Sequence, residues 1–271
     1  MPKEKDLKKL VRARMGKTGE GYSIARLHVN GTANGSRTGR RLGFAVAAGK
    51  GPPGTPATPA VYQVKITITD IEPAIWRRLQ VPADTTLAEL HEIIQAAFGW
   101  WNYHLHQYVV DGQHFGVPDP EYADELPPMV HEQGVALGDI VGAAKITYEY
   151  DFGDSWDHQI EIESVAVVPE SGITYPICIG GARARPPEDC GGTSGYESML
   201  EILADPEHEE YRQTKTWVGR KYDPEKLDLA AVSRALKRVR SQSNAARQRG
   251  GSSRGRAVGA GSQSPTGART R

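Results

Sequence analysis

The chain is poor in cysteine and has no long apolar run. Among its 271 residues only Cys178 and Cys190 are cysteines, too few for a disulfide framework or for the two close pairs of a zinc ribbon. No stretch of about 18 consecutive apolar residues is present, which argues against a transmembrane helix. The N-terminus also lacks the apolar core of a secretory signal. We therefore expect a cytoplasmic protein with reduced thiols.

Familiar nucleotide and zinc-protease motifs are missing as well. The glycine-rich stretches at 30–54 and 180–195 lack the Lys-Ser/Thr ending of a phosphate-binding loop. No His-Glu-x-x-His pattern is present to supply a helical zinc site. These absences exclude nucleotide binding by a P-loop and the zinc-protease arrangement.

Charge is balanced overall but segregated along the chain. Residues 1–50 carry 12 Lys/Arg against three Asp/Glu, and residues 234–271 carry ten against none. The remaining segment, 51–233, has 11 basic and 30 acidic residues, a net charge of −19. Basic arms can contact nucleic acid weakly through counterion release, whereas so acidic a body repels it. The alternative is that the arms are solubilising tails or fold back onto the body.

Composition divides the chain into four segments. They are a basic helical arm at 1–29, a Gly/Pro-rich linker at 30–60, a central domain at 61–240 and a basic tail at 241–271. The linker has extended proline character. The tail has scarcely any apolar residue, and we expect it to be disordered. The central domain holds nearly all the apolar periodicity and is long enough to bury a core.

Hydrophobic periodicity predicts an α+β fold for the central domain. Alternating runs at 61–69 and 74–81 predict a hairpin. A capping box of Thr86 and Glu89 then precedes an apolar stripe that stops at Gly99, which predicts an amphipathic helix. This β-grasp-like opening indicates a mixed or antiparallel sheet with the helix packed across it, and further helices follow near the C-terminus.

A second predicted hairpin, at 145–162, concentrates groups that bind or catalyse. Its turn is rich in acids, and the preceding predicted strand at 104–110 begins with two histidines that alternation places on one face. The ligand-binding candidates are His104, His106, Asp151, Asp154, Trp156 and His158. If they converge, they suit a divalent metal bound through nitrogen and oxygen, or a His–Asp acid/base pair. The alternative is structural, because turn acids and strand histidines commonly bond to nearby backbone. No other cofactor is predicted.

The helix and its C-terminal flank carry further rings. His91 lies near the apolar stripe and is expected to be a partly buried core histidine. Trp100, Trp101 and Tyr103 follow the helix. They either pack in the core and rim or stack a ring-shaped ligand.

Segment 169–195 is rich in Pro and Gly and is predicted to be a long irregular loop. Arg183 and Arg185 lie close to Glu188 and Asp189 in sequence. We expect ion pairs among these residues to anchor the loop. No base for a thiol nucleophile is visible near either cysteine.

An ordered set of motifs resembles the Ri-plasmid open-reading-frame-three-like family. The motifs are Ile75-Trp76-Arg77-Arg78, Ala97-Phe98-Gly99-Trp100, His104-Leu105-His106-Gln107-Tyr108, Tyr150-Asp151-Phe152-Gly153-Asp154-Ser155-Trp156-Asp157-His158 and Pro186-Pro187-Glu188-Asp189-Cys190-Gly191-Gly192. The family includes passenger proteins of insertion sequences, known as TnpR. The resemblance implies a compact α+β domain in plasmid and transposon settings, without an established activity. The TnpR label suggests a resolvase, but the chain lacks the organisation of a serine recombinase.

Two functional hypotheses follow. The first is a non-enzymatic binding or accessory protein that takes a protein or small ligand at the candidate residues and contacts nucleic acid weakly through its arms. The alternative is a metal-dependent hydrolase or nuclease that uses the same His/Asp cluster. A third interpretation, a purely structural domain, assigns those residues to stability alone.

Overall fold

The computed structural model describes residues 60–118 and 127–254. The predicted basic arm at 1–29 and almost all of the predicted linker at 30–60 lie outside the described residues. None of the described helices is long and apolar enough to cross a bilayer.

The described strands form one eight-stranded mixed sheet. Its order is β5-β4-β3-β6-β7-β1-β2-β8, and every neighbouring pair is antiparallel except β4 and β5. The strand bounds are β1 Val61–Ile68, β2 Ile75–Pro82, β3 His106–Val110, β4 Gln113–Gly116, β5 Met129–His131, β6 Ile146–Tyr150, β7 Trp156–Val167 and β8 Ile177–Ala182.

Four α-helices accompany the sheet in the part of the chain that is described. They are α1 Leu87–Phe98, α2 Gly192–Ala204, α3 Tyr211–Val218 and α4 Leu229–Arg254, with short 3-10 turns at Glu132–Gly134 and Leu137–Ile140. The α+β prediction is confirmed. Helix α4 continues beyond Ser241 to Arg254, so the first part of the tail is helical where its composition predicts disorder.

Helix α1 forms where its end signals predicted. The Glu89 backbone N–H donates to Thr86 Oγ1 at 3.2 Å, and the Thr86 N–H donates to Glu89 Oε2 at 3.0 Å. Gly99 ends the helix at φ 85°, a left-handed conformation that glycine adopts without steric cost. The buried stripe of α1 packs on the sheet with α4 beside it.

Alternation along the strands gives the sheet one apolar and one polar face. Val64, Ile66 and Ile68 of β1 are buried beneath α1. On the opposite face Lys65 lies 3.5 Å from Glu161, an exposed pair that adds little stability. The hydrophobic core therefore lies between the sheet and the helices α1 and α4.

Strand β8 corrects the prediction that 169–195 is one irregular loop. It pairs with β2 and includes Gly180 and Gly181, residues whose type is typical of loops. A Cβ at Gly181 would lie 2.7 Å from the Trp76 carbonyl oxygen and 2.8 Å from Leu227 Cδ2. Glycine is therefore needed in this strand because backbone and side chain approach it closely.

Arg77 is a cation on the apolar face. Its Nε donates to the Ala97 carbonyl at 3.0 Å, at the C-terminal end of α1, and Nη1 donates to the Ala182 carbonyl of β8 at 2.9 Å. The guanidinium carbon lies 4.8 Å from the Phe98 ring centroid. Burial lowers the pKa of Arg77 to about 10, so the group stays charged at neutral pH. This side chain ties β2 to the end of α1 and to β8.

Replacing Arg77 with Met should lower the free energy of unfolding by about 2–4 kcal/mol, because buried carbonyls lose charged hydrogen-bond donors. Urea denaturation measures this loss. The matched control is Arg78→Met on the polar face, where Arg78 pairs with Glu163 at 2.7 Å. A surface pair contributes little, so equal losses in the two variants would contradict the structural role given to Arg77.

Candidate metal centre

His104 and Asp151 meet at one end of the β3–β6 pair, where β3 begins and β6 ends. The register places His106 opposite Tyr150, so the residues just outside the strands also lie close together. The Asp151 N–H donates to the Leu105 carbonyl at 3.0 Å, and Asp151 has a left-handed backbone at φ 59°. His104 Nε2 is 3.5 Å from Asp151 Oδ2.

Two more carboxylates reach the same histidine from the segment between β8 and α2. Glu188 Oε2 and Asp189 Oδ1 each lie 3.7 Å from His104 Nε2. One ligand atom from each of His104, Asp151 and Asp189 lies within 4.8 Å of the others. We call these four residues, His104, Asp151, Glu188 and Asp189, the His104 cluster.

Three hydrogen bonds hold the segment that carries Glu188 and Asp189. The Trp101 N–H donates to Glu188 Oε1 at 2.6 Å. Arg185 Nε donates to the Gly99 carbonyl at 2.8 Å. The Gly191 N–H donates to Asp154 Oδ2 at 3.0 Å, so the structure gives Asp154 a positioning role beside the cluster.

Glycines close the same segment against α2. A Cβ at Gly195 would lie 2.0 Å from the Cys190 carbonyl oxygen, and one at Gly192 would lie 2.6 Å from the Asp154 carbonyl oxygen. Larger residues would push the segment away. The Cys-Gly-Gly motif therefore has a steric reason that is independent of thiol chemistry. Burial also raises the pKa of the Cys190 thiol to about 12, which disfavours a thiolate nucleophile.

The His104 cluster is buried on one side and open on the other. The side chains of His104, Asp151 and Glu188 are buried, whereas that of Asp189 is 40% exposed. Burial raises the pKa of Asp151 and of Glu188. Among the buried side-chain atoms that the structure describes, Glu188 Oε2 is a carboxylate oxygen without a hydrogen-bond donor. Solvent reaches the cluster from the Asp189 side.

His106 belongs to a different group. Its Nε2 is 2.8 Å from Glu132 Oε2, and its ring stacks on His91 with centroids 3.5 Å apart. The two histidines predicted to share a face diverge, because β3 begins at His106 and His104 precedes the strand pleat. His91 is buried as predicted and bonds to the Tyr148 hydroxyl at 2.8 Å. Burial, with His106 nearby, lowers the pKa of His91 to about 3.

Trp156 and His158 lie in the core, away from the cluster. Both are fully buried. They share one face of β7 with the buried Ile160, because every second side chain along a strand points to the same side. His158 Nδ1 lies 2.8 Å from the Trp156 carbonyl, and Trp100 Nε1 donates to His158 Nε2 at 3.4 Å. The structure thus places both side chains in the core packing.

Arg183 and Arg185 have other partners than the ion pairs predicted with Glu188 and Asp189. Arg183 Nη2 lies 2.8 Å from Glu225 Oε1 rather than beside Glu188 or Asp189. Arg185 uses backbone carbonyls and lies over the Trp100 ring at 4.9 Å. The sequence predicts that Glu188 and Asp189 anchor the loop, whereas the structure places them at His104. In the sequence, the signal for them as site residues is their place in the Pro-Pro-Glu-Asp-Cys motif.

The comparisons with known proteins cover the same region. The family model described as plasmid pRiA4b ORF-3-like protein matches residues 60–231. This chain belongs to that family. It is 37% identical over 178 residues to the uncharacterized protein y4hQ of Sinorhizobium fredii, covering 65% of this chain and 91% of that protein.

A solved structure of similar sequence has the same fold. The crystal structure of a protein of unknown function, MM3350 from Methanosarcina mazei Go1, matches with a TM-score of 0.59 and 40% identity. The match covers 65% of this chain and 98% of that one. The resemblance drawn from the motifs is thus confirmed.

The buried His158 should make the protein less stable in mild acid. Burial lowers its pKa to about 4, whereas the unfolded chain takes up the proton near the ordinary value of about 6.5. The unfolded state thus binds more protons between these values, and stability falls as pH falls through that window. The full effect is on the order of 3 kcal/mol.

Urea unfolding of His158→Asn at several pH values tests this prediction. Asparagine keeps a donor near the Trp156 carbonyl but does not titrate, so the slope between pH 6.5 and pH 4 should flatten. Lost packing should lower stability at pH 7 as well. The matched control is His131→Asn at an exposed position. A wild-type slope in the His158 variant would contradict the assignment.

Proposed function

We propose that the central domain is a binding protein that holds a divalent metal ion at the His104 cluster. The convergence of one imidazole nitrogen with carboxylate oxygens from separate chain segments carries this proposal. His104, Asp151 and Asp189 supply one donor atom each, and Glu188 stands beside them. The donors come from the adjacent ends of two paired interior strands, β3 and β6, and from the segment between β8 and α2.

The distances from His104 Nε2 to the carboxylates support a metal ion among these side chains. Separations of 3.5 Å to Asp151 and 3.7 Å to Glu188 and Asp189 exceed the usual hydrogen-bond length of about 2.7–3.2 Å. Ligand bonds of about 2.1 Å in a tetrahedral site place donors about 3.4 Å apart. The distances from His104 Nε2 to the three carboxylates are close to this value, and the donor atoms of His104, Asp151 and Asp189 all lie within 4.8 Å of one another.

Charge supports the same function. Several carboxyl groups crowd one imidazole, and burial raises the pKa of Asp151 and Glu188 because a desolvated carboxylate is unfavourable. A divalent cation would offset this repulsion. A mixed nitrogen and oxygen donor set suits Mn²⁺, Fe²⁺ or Zn²⁺ better than a soft thiolate-seeking ion.

Metal titration of the full chain tests the site. Mn²⁺ binding, followed by electron paramagnetic resonance of the free ion, should show one site, and Zn²⁺ should compete for it. At a free metal concentration 100 times the Kd, the free energy of unfolding should rise by about 2.7 kcal/mol. His104→Gln and Asp151→Asn should weaken binding by about 100-fold or more, since even outer-shell partners contribute about 10–100-fold.

The controls separate loss of a ligand from loss of the fold. Asparagine at 151 tolerates the φ of 59° and can still accept from the Gly153 N–H, which lies 2.9 Å from Asp151 Oδ1. His106→Gln removes a histidine two residues away that pairs with Glu132, and it should keep metal affinity. A wild-type protein that binds neither ion, or a His104 variant that binds as the wild type does, overturns the proposal.

A second candidate function is metal-dependent hydrolysis, favoured by the unbonded oxygen of Glu188. A carboxylate beside a metal site can take a proton from an attacking water, and burial raises the pKa of Glu188 towards the range of a useful base. The open side at Asp189 lets a substrate approach. This interpretation uses the same His104 cluster and adds one role, that of Glu188 as a general base.

Hydrolysis of bis(4-nitrophenyl) phosphate by the Mn²⁺-loaded protein tests the enzyme interpretation. Glu188→Gln should reduce turnover by about 100-fold or more while Mn²⁺ affinity changes much less. Glu132→Gln, at the other histidine, is the matched control. No turnover in the metal-loaded wild type leaves the binding function and removes the hydrolase.

The basic arms add a separate part to the proposal. Weak nucleic-acid contact through residues 1–50 and 234–271 is supported by their positive charge and would weaken with salt. The transposon passenger setting that the family resemblance implies, and the cytoplasmic location expected from the sequence, belong to the same proposal.

A further inference from the structure

A cleft with a volume of about 720 Å³ opens beside the His104 cluster. Glu188 and Asp189 form part of its wall, together with the end of α1 and residues of α3 and α4. A volume of this size lies within the range of small-molecule sites. One wall of the cleft is thus part of the proposed metal site.

Two exposed tryptophans line this cleft. Trp101 is 59% exposed and Trp217 is 53% exposed. Large aromatic rings are usually buried, and exposed ones in a cleft offer flat faces for stacking a ligand ring. Trp101 is also held in place, because its backbone N–H donates to Glu188 Oε1 and the Arg185 guanidinium lies 5.7 Å from its ring. The ring platform and the metal cluster are therefore joined through Glu188.

Cationic side chains line the cleft as well. Lys226 and Arg238 are exposed there, and no ion pair occupies either of them among the residues that the structure describes. Exposed ammonium and guanidinium groups bind phosphate oxygens. Glu188 and Asp189 repel an anion at the same place until a cation offsets their charge. Anion binding in this cleft should consequently depend on the metal.

We propose that the cleft binds a nucleoside monophosphate, with its base on the Trp101 side and its phosphate attracted by the bound cation and by Lys226 and Arg238. This inference rests on the proposed metal site. A ring joined to a phosphate matches both kinds of wall at once. A small ligand fits better than a polynucleotide, because segment 51–233 has a net charge of −19 that repels a long phosphate backbone.

Isothermal titration of the full chain with the four ribonucleoside 5′-monophosphates tests the inference. At least one should bind the Mn²⁺-loaded protein, and chelation with EDTA should weaken it at least tenfold. The matching nucleoside and ribose 5-phosphate should each bind at least tenfold more weakly. Trp101→Ala should weaken binding by about five- to 150-fold, the usual effect of removing one stacked ring.

Tyr103→Ala is the matched control. Tyr103 is an exposed ring, at 57%, that contacts Trp101 with centroids 5.7 Å apart but lies outside the cleft wall. Its replacement should leave affinity within about twofold. Equal losses in the two variants would overturn the stacking assignment.

The outcomes distinguish this inference from the metal proposal. Mn²⁺ binding without binding of any monophosphate overturns the cleft assignment and leaves the metal site. Failure of Mn²⁺ itself overturns the metal site. Tighter binding of a 5′-phosphorylated oligonucleotide than of the monophosphate overturns the assignment to a small ligand.

Discussion

The docking of the segment between β8 and α2 onto the end of α1 is the constraint on which the site depends. Arg185 bonds to the Gly99 carbonyl, and Glu188 accepts from the Trp101 N–H. Gly191 bonds to Asp154 on the opposite side. One such hydrogen bond contributes about 0.5–1.5 kcal/mol, but together they fix a segment whose carboxylates must meet His104. Arg77 supports the arrangement from below by holding the same helix end.

The histidines show why burial alone does not identify a site. His91 and His158 are both buried, and burial lowers their pKa to about 3 and about 4. Each has nearby hydroxyl, amide or backbone partners that a neutral imidazole satisfies. His104 Nε2 instead has three carboxyl groups within 3.7 Å. The chemistry of the neighbours separates a packing histidine from a candidate ligand.

The cluster is a local departure from what stability favours. A buried carboxylate oxygen without a donor costs free energy unless a ligand satisfies it, and the rest of the described core is largely apolar. Such departures are expected where a protein keeps groups for function. The exposed Trp101 ring beside the cluster is a second departure of the same kind, and both lie at the docked segment.

The sequence by itself determined the elements whose signals are local. The capping box of α1, the two hairpins and the family motifs depend on neighbouring residues. The pairing of β3 with β6, which brings Asp151 to His104, joins distant segments and is not among them. Tertiary structure decided the rest. Gly181 lies in β8, and glycine is needed there because the Trp76 carbonyl and the distant Leu227 side chain approach it closely. His158 points inward because the core lies on that face of β7. Glu188 and Asp189 join His104 only after a segment over 80 residues away docks, since contacts between distant residues carry no local periodicity.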